Sequence, residues 1–82
     1  MAVTKLDLTG LKCPLPALMT RKAMKSIAIG DCLEVHCTDP LAAIDIPALV
    51  QQSGDAMDAS RHIDGVLVFT IRKTNAAIAH RD

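Results

Sequence analysis

The stretch Asp7-Leu8-Thr9-Gly10-Leu11-Lys12-Cys13-Pro14-Leu15-Pro16 carries the chain out of an alternating segment and into a helix start, and the rest of the fold hangs on that passage. On its N-terminal side, residues 4–9 place Leu6 and Leu8 on one face and Lys5, Asp7 and Thr9 on the other, which describes a half-buried strand. Gly10 then lets the chain turn. On the C-terminal side, Pro14 and Pro16 form an entry clamp: the N–H that proline lacks is unpaired in a first helical turn anyway, and its φ is already helical. A residue before proline avoids the α region, so either Pro14 opens the helix or Leu15 caps it and Pro16 comes first. Both placements put Cys13 within about one turn of the helix N-terminus, where free N–H groups and the helix dipole favour an anion. A thiol so placed is expected to titrate below the free value of about 8.5, with help from Lys12 if that side chain turns toward it.

Beyond this junction the period changes. From Pro16 to about Ile27, Met19, Ala23 and Ile27 recur at helical spacing with Met24 alongside, while Arg21, Lys22 and Lys25 fall on the opposite side with Leu18 among them. This predicts an amphipathic helix with a basic outer face. After Gly30-Asp31 the chain alternates again from Cys32 to Thr38, with Leu33, Val35 and Cys37 on one face and Cys32, Glu34 and His36 on the other. Thr38-Asp39-Pro40 signals a second helix over Leu41 to Gln52, ending near Ser53-Gly54, with Pro47 expected to kink or restart it. Ala56 to Ile63 reads as a weak strand. Asp64-Gly65 then marks a hairpin into Val66–Arg72, the clearest strand of the chain. Residues 74–82 are polar or small and are expected to fray.

The order is therefore βαβαββ. It predicts a two-layer α/β (α+β) sandwich, with two helices on one face of a four-stranded mixed sheet and a right-handed crossover wherever parallel strands neighbour. At 82 residues the chain reads as one domain over 1–82, with a core at about 4–73. A chain this short buries only about 60–65% of its unfolded surface, which excludes a large enclosed active site.

Composition narrows the function classes. Phe69 is the single aromatic residue, so stacking of nucleobases is not available, and nine basic residues balance nine acidic ones, so no overall field draws the chain to nucleic acid or an anionic membrane. No direct nucleic-acid or membrane binding is expected. The first residues lack the basic-then-apolar pattern of a secretory signal, which makes the cytoplasm the expected compartment. There, Cys13, Cys32 and Cys37 would be reduced, and an odd count without Cys-x-x-Cys argues against a disulfide framework or a dithiol.

The chain resembles the TusA/SirA-like family of small sulfur carriers. The likeness rests on Gly10, Cys13-Pro14-Leu15-Pro16, Arg21-Lys22, Asp39-Pro40 and Asp45-Ile46-Pro47, and it runs in matching order over about residues 4–73. It implies a sulfurtransferase acting as a relay, in which Cys13 receives sulfane sulfur as a persulfide while Gly10, Pro14 and Pro16 shape its turn. It also implies a cysteine desulfurase or other persulfide donor, a downstream acceptor protein, and service to tRNA thiolation, molybdenum-cofactor maturation or sulfur oxidation. No cofactor or metal is implied. Lys12, Leu18, Arg21, Lys22 and Lys25 are candidates for docking partners, and a monomer meeting them transiently is expected.

Other readings compete. Cys37 shares a face with Leu33 and Val35 and reads as core. Cys32 shares the outer face with His36, which leaves a second thiol, half of a metal site and a plain surface residue open. A metal centre built from Cys13, Cys32, Cys37, His36 and His62 fits no paired-ligand spacing for zinc. An interaction module that keeps the fold and uses the motif only as a helix cap is the alternative of a different class.

Overall fold

Four strands and two helices follow one another as β1 (Val3–Leu8), α1 (Leu15–Ser26), β2 (Cys32–Cys37), α2 (Ala42–Ser53), β3 (Ala56–Ile63) and β4 (Val66–Arg72). The structure, a computed structural model, describes residues 2–74, so the expected fraying of the tail lies, Thr74 apart, outside the described residues. The sheet order is β1-β2-β4-β3. β1 and β2 run parallel, and β4 lies antiparallel to both β2 and β3. Parallel neighbours need a crossover, which α1 supplies; the tight β3–β4 connection needs only two residues. Those are Asp64 and Gly65, with φ of 49° and 80°, the paired positive values of a hairpin turn that matches strand twist.

Alternation decides which residues enter the core. Leu33 and Val35 of β2 face Ile71 and Phe69 of β4, and Ala42, Ile46 and Val50 of α2 and Met24 of α1 close over them. Phe69, Leu33, Ile46, Ile71 and Val35 are the largest apolar side chains fully buried there. Each contributes about 1.5–3 kcal/mol by leaving water. With both helices packed on this face, the other face carries Lys5, Glu34, His36 and Arg61 beside Val68. His36 Nε2 lies 2.7 Å from Glu34 Oε2.

Three expectations about packing need correction. The buried stripe of α1 is Pro16, Thr20 and Met24, and Met19 is exposed. Starting at Leu15 and ending at Ser26, the helix is rotated so that a threonine points inward, and its Oγ1 has no hydrogen-bond partner among the described residues. Pro47 neither kinks nor restarts α2, which runs unbroken through it. The N–H it lacks would have reached back to Ala43, and both residues are exposed, so water can serve that carbonyl. The third correction is Cys32, which is buried rather than a surface thiol, although its face of the sheet is the outer one.

The far end of β4 carries a buried charge. Lys73 follows the last strand residue and is only 7% exposed. Its Nζ donates to Met24 O at 2.8 Å and to Ile27 O at 2.9 Å. A cation thus closes the carboxyl end of α1, where carbonyls lack helical partners and the dipole is negative.

Candidate functional site

The loops after β1 and β2 meet at one edge of the molecule because the two strands are parallel and end side by side, Leu8 paired with Cys37. In the first loop, Asp7 Oδ1 accepts from the N–H and Oγ1 of Thr9, and Leu11 N–H returns to Leu8 O, which turns the chain sharply. Gly10 sits at φ +85°, where a side chain would strain the backbone. Its N–H donates to Thr38 Oγ1 in the second loop at 2.8 Å. Pro14 is the cap residue of α1, Leu15 N–H bonds Lys12 O, and the Cys13–Pro14 peptide is cis. Pro16 occupies the second helical position and Leu15 the first, so both prolines sit at the helix start but neither expected placement holds: Pro14 is the cap rather than the opening residue, and Leu15 is helical rather than the cap.

Two aspartates of the second loop and α2 hold the cysteine. Asp39 uses both oxygens: Oδ1 accepts from the N–H of Leu41, the cap residue of α2, at 3.2 Å, while Oδ2 accepts from Cys13 N–H. Asp45, in the first turn of α2, accepts the Cys13 thiol on Oδ2 at 3.0 Å. Cys13 is exposed, whereas Cys32 and Cys37 are buried, and all three are free thiols.

The electrostatics reverse the expected sign. The hydrogen bond to Asp45, then desolvation, then the charges of Asp45 and Asp39 hold the Cys13 thiol above its ordinary range. A helix start offers roughly half a positive charge spread over several N–H groups. Asp45 presents a full negative charge at 3.0 Å, and it wins. Lys12 is exposed and is not among the groups that set the thiol's acidity. Cys13 is therefore a protonated, exposed thiol at neutral pH rather than a thiolate. Cys37 is pushed up to about 11, by burial first and the charge of Asp39 second.

The starts of both helices also expose apolar side chains. Leu15 and Leu18 of α1 are 45% and 55% exposed, and Leu41 and Ile44 at the start of α2 are 51% and 68% exposed. Arg21, Lys22 and Lys25 are exposed on α1, so the basic face and Leu18 belong to the helix that begins at the cysteine. Leu41, Ile44, Asp39 and Asp45 were not singled out by sequence as site residues. The signal was topological: residues that follow the carboxyl ends of two adjacent parallel strands are brought together. Among the described residues no three His, Cys, Asp or Glu side chains gather as a metal site requires. His62, one of the metal candidates, instead lines a shallow cleft of about 280 Å³ with Thr38, Pro40, Ala43, Gly65 and Leu67.

Comparison with known proteins identifies the family. The family described as "Sulfurtransferase TusA" matches residues 4–73. The "Sulfur carrier protein TusA" of Allochromatium vinosum is 36% identical over 70 residues, covering 85% of this chain and 92% of the relative. The protein of the same name from Pseudomonas entomophila is 37% identical over 68 residues, covering 83% and 85%. A chain from Archaeoglobus fulgidus is 38% identical over 69 residues, covering 83% and 90%. Element order, the cysteine–proline turn and these matches together place the chain in the sulfurtransferase TusA family of sulfur carriers.

Proposed function

We propose that the protein carries sulfane sulfur as a persulfide on Cys13 and acts as a sulfurtransferase within a relay, as a single domain over residues 1–82 with its core at about 4–73. The observation that carries this reading is that Cys13 alone of the three thiols is exposed, at a turn tied to the neighbouring loop through Thr38 and Asp39. Gly10, Pro14 and Pro16 serve it by fixing that turn.

Transfer is an exchange at sulfur. Cys13 Sγ attacks the outer sulfur of a donor persulfide, the new Sγ–S bond forms as the donor's S–S bond breaks, and the electron pair leaves on the donor's own sulfur. The proton given up by Cys13 goes to that leaving thiolate. Oxidation states balance without a cofactor, since one persulfide and one thiol give one thiol and one persulfide. A cysteine desulfurase is the proposed donor and a downstream relay protein the acceptor, in the cytoplasm, serving tRNA thiolation, molybdenum-cofactor maturation or sulfur oxidation. The basic face of α1, with Arg21, Lys22, Lys25 and Leu18, and Lys12, next to Cys13 in the chain, is the proposed docking surface for an acidic rim around the donor's cysteine.

Mass spectrometry after incubation with a cysteine desulfurase and cysteine tests the reading. The expected result is a gain of one sulfur atom, lost on reduction and absent in Cys13→Ser. No gain with active desulfurases overturns it and leaves an interaction module. Charge reversal at Arg21 and Lys22 should slow loading while leaving the melting temperature in place; an unchanged loading rate removes the docking role.

A further inference from the structure

We propose that Asp45 is the positioning residue of this transfer: its carboxylate holds the S–H of unloaded Cys13 and, once Cys13 carries a second sulfur, turns the outer sulfur away from α2 and toward a partner. This rests on the carrier reading of Cys13. The geometry assigns the role to Asp45 and not Asp39. Both oxygens of Asp39 are occupied by backbone N–H groups, of Cys13 and Leu41, so Asp39 docks the loop. Asp45 is half-buried on a helical turn pinned by its own N–H to Leu41 O at 2.9 Å, and its Oδ2 meets the sulfur.

Loading changes what Sγ can do. As a thiol, Sγ carries a hydrogen and donates it to Asp45. As a persulfide, Sγ is bonded to Cβ and to the outer sulfur and has no hydrogen left. If the outer sulfur took the place of that hydrogen, its negative charge would face the carboxylate directly, and like charges at contact repel. The outer sulfur swings outward instead.

Delivery reverses the step with the same balance. An acceptor thiolate attacks the outer sulfur, the Sγ–S bond breaks, and the electron pair returns to Sγ, which takes up a proton and again donates to Asp45. A bond available only to the unloaded thiol favours unloading. Asp45 does not act as the base in either direction, because a carboxylate is a far weaker base than a thiolate and leaves the proton on sulfur.

The test measures the pH dependence of Cys13 alkylation by iodoacetamide on the full chain, with the modified peptide identified by mass spectrometry. Asp45→Asn keeps the shape of the side chain, Asp45→Ser is the second variant, and Asp58→Asn, on exposed β3, is the charge control. The expected result for both Asp45 variants is a lower alkylation midpoint and about two- to fivefold faster alkylation at neutral pH, the range that exposed charge couplings produce. The plateau rate above the midpoint should stay at the wild-type value, and attack on an anionic disulfide should gain more than attack on a neutral one. A loosened loop would instead raise the plateau and leave the midpoint where it was. A midpoint equal to that of wild type overturns the proposal, even if the wild type loads sulfur normally. A shifted midpoint in a chain that takes up no sulfur would uphold the Asp45–thiol contact and overturn its part in transfer, along with the carrier reading.

Discussion

Replacing Lys73 by methionine removes a buried cation while keeping the length and apolar stem of the side chain. The structure gives the expected loss. Lys73 Nζ donates to Met24 O and Ile27 O, the closing carbonyls of α1, at 2.8 and 2.9 Å. Hydrogen bonds involving a charged group are worth about 1.5–3 kcal/mol each, and the methionine recovers part of the sum because no ammonium has to be desolvated. The expected net loss is about 2–4 kcal/mol, which for a chain of this size lowers the melting temperature by roughly 10–25 °C. The backbone of residue 73 still bonds Gly30 and Asp31, so the end of β4 stays in register and the loss is specific to the ammonium. Lys25 is the control, being in the last turn of the same helix but exposed. Lys25→Met should cost no more than about 0.5 kcal/mol. Thermal unfolding followed by far-UV circular dichroism reads both. If Lys73→Met melts within about 3 °C of wild type, the lysine does not close α1 and the reasoning fails.

Thr20→Val should stabilise the protein by about 1 kcal/mol, since it replaces a fully buried hydroxyl that has no partner among the described residues with a methyl of similar shape; a drop in melting temperature would show that the hydroxyl is satisfied after all. Cys37 gives an alkaline transition. Its native acidity lies near 11 against an ordinary 9.0, so the protonated form is favoured by folding, and the stabilisation is intact below about pH 9 and lost as pH rises toward 11. The size is about 2–3 kcal/mol, read as a falling urea midpoint that Cys37→Val abolishes; equal pH dependence in the two proteins would refute it. Asp39→Ala removes acceptors for Cys13 N–H and Leu41 N–H and should cost about 1–2 kcal/mol in urea unfolding, more than the exposed Asp58→Ala does. Equal costs would show that Asp39 does not dock the loop.

The elements were legible because local chemistry and tertiary packing agree along most of the chain. Alternation at Leu33, Val35 and Cys37 and the Asp64-Gly65 turn each name one structure, and each is found, whereas the paired prolines announce a helix start without fixing its first residue. In α1 they conflict: hydropathy puts Met19 inside, whereas packing against the sheet selects the Pro16–Thr20–Met24 row and leaves Met19 partly in water. A one-residue rotation of a helix changes the apolar sum little, so shape decides, and shape is not written locally. Lys73 was illegible for a related reason. Only the distance from the end of β4 to the end of α1 makes a lysine there a cap, and those residues lie 46 and 49 positions apart. Cys13 stood out from its own neighbours, but its acidity did not, because the charge that sets it comes from 32 residues away.

That long-range contact changes where the reactivity of the site resides. An exposed thiolate attacks any disulfide and is open to oxidation, so a carrier whose thiol is held protonated is guarded while it is free. Release cannot come from covering the site with apolar surface alone. Seating a partner on Leu15, Leu41 and Ile44 lowers the local dielectric, which strengthens the pull of Asp45 on the proton and further disfavours the thiolate. What lowers the barrier is a positive charge brought close to Asp45, which weakens its hold on the thiol hydrogen and leaves the N-terminus of α1 as the dominant field at sulfur. If the proposed docking on α1 holds, a suitable donor would present two unlike features: an acidic rim for the basic face of α1 and, beside its own persulfide, a cation for Asp45. The first would give encounter and the second reaction, so a surface that only matches the helix is expected to bind without exchanging sulfur.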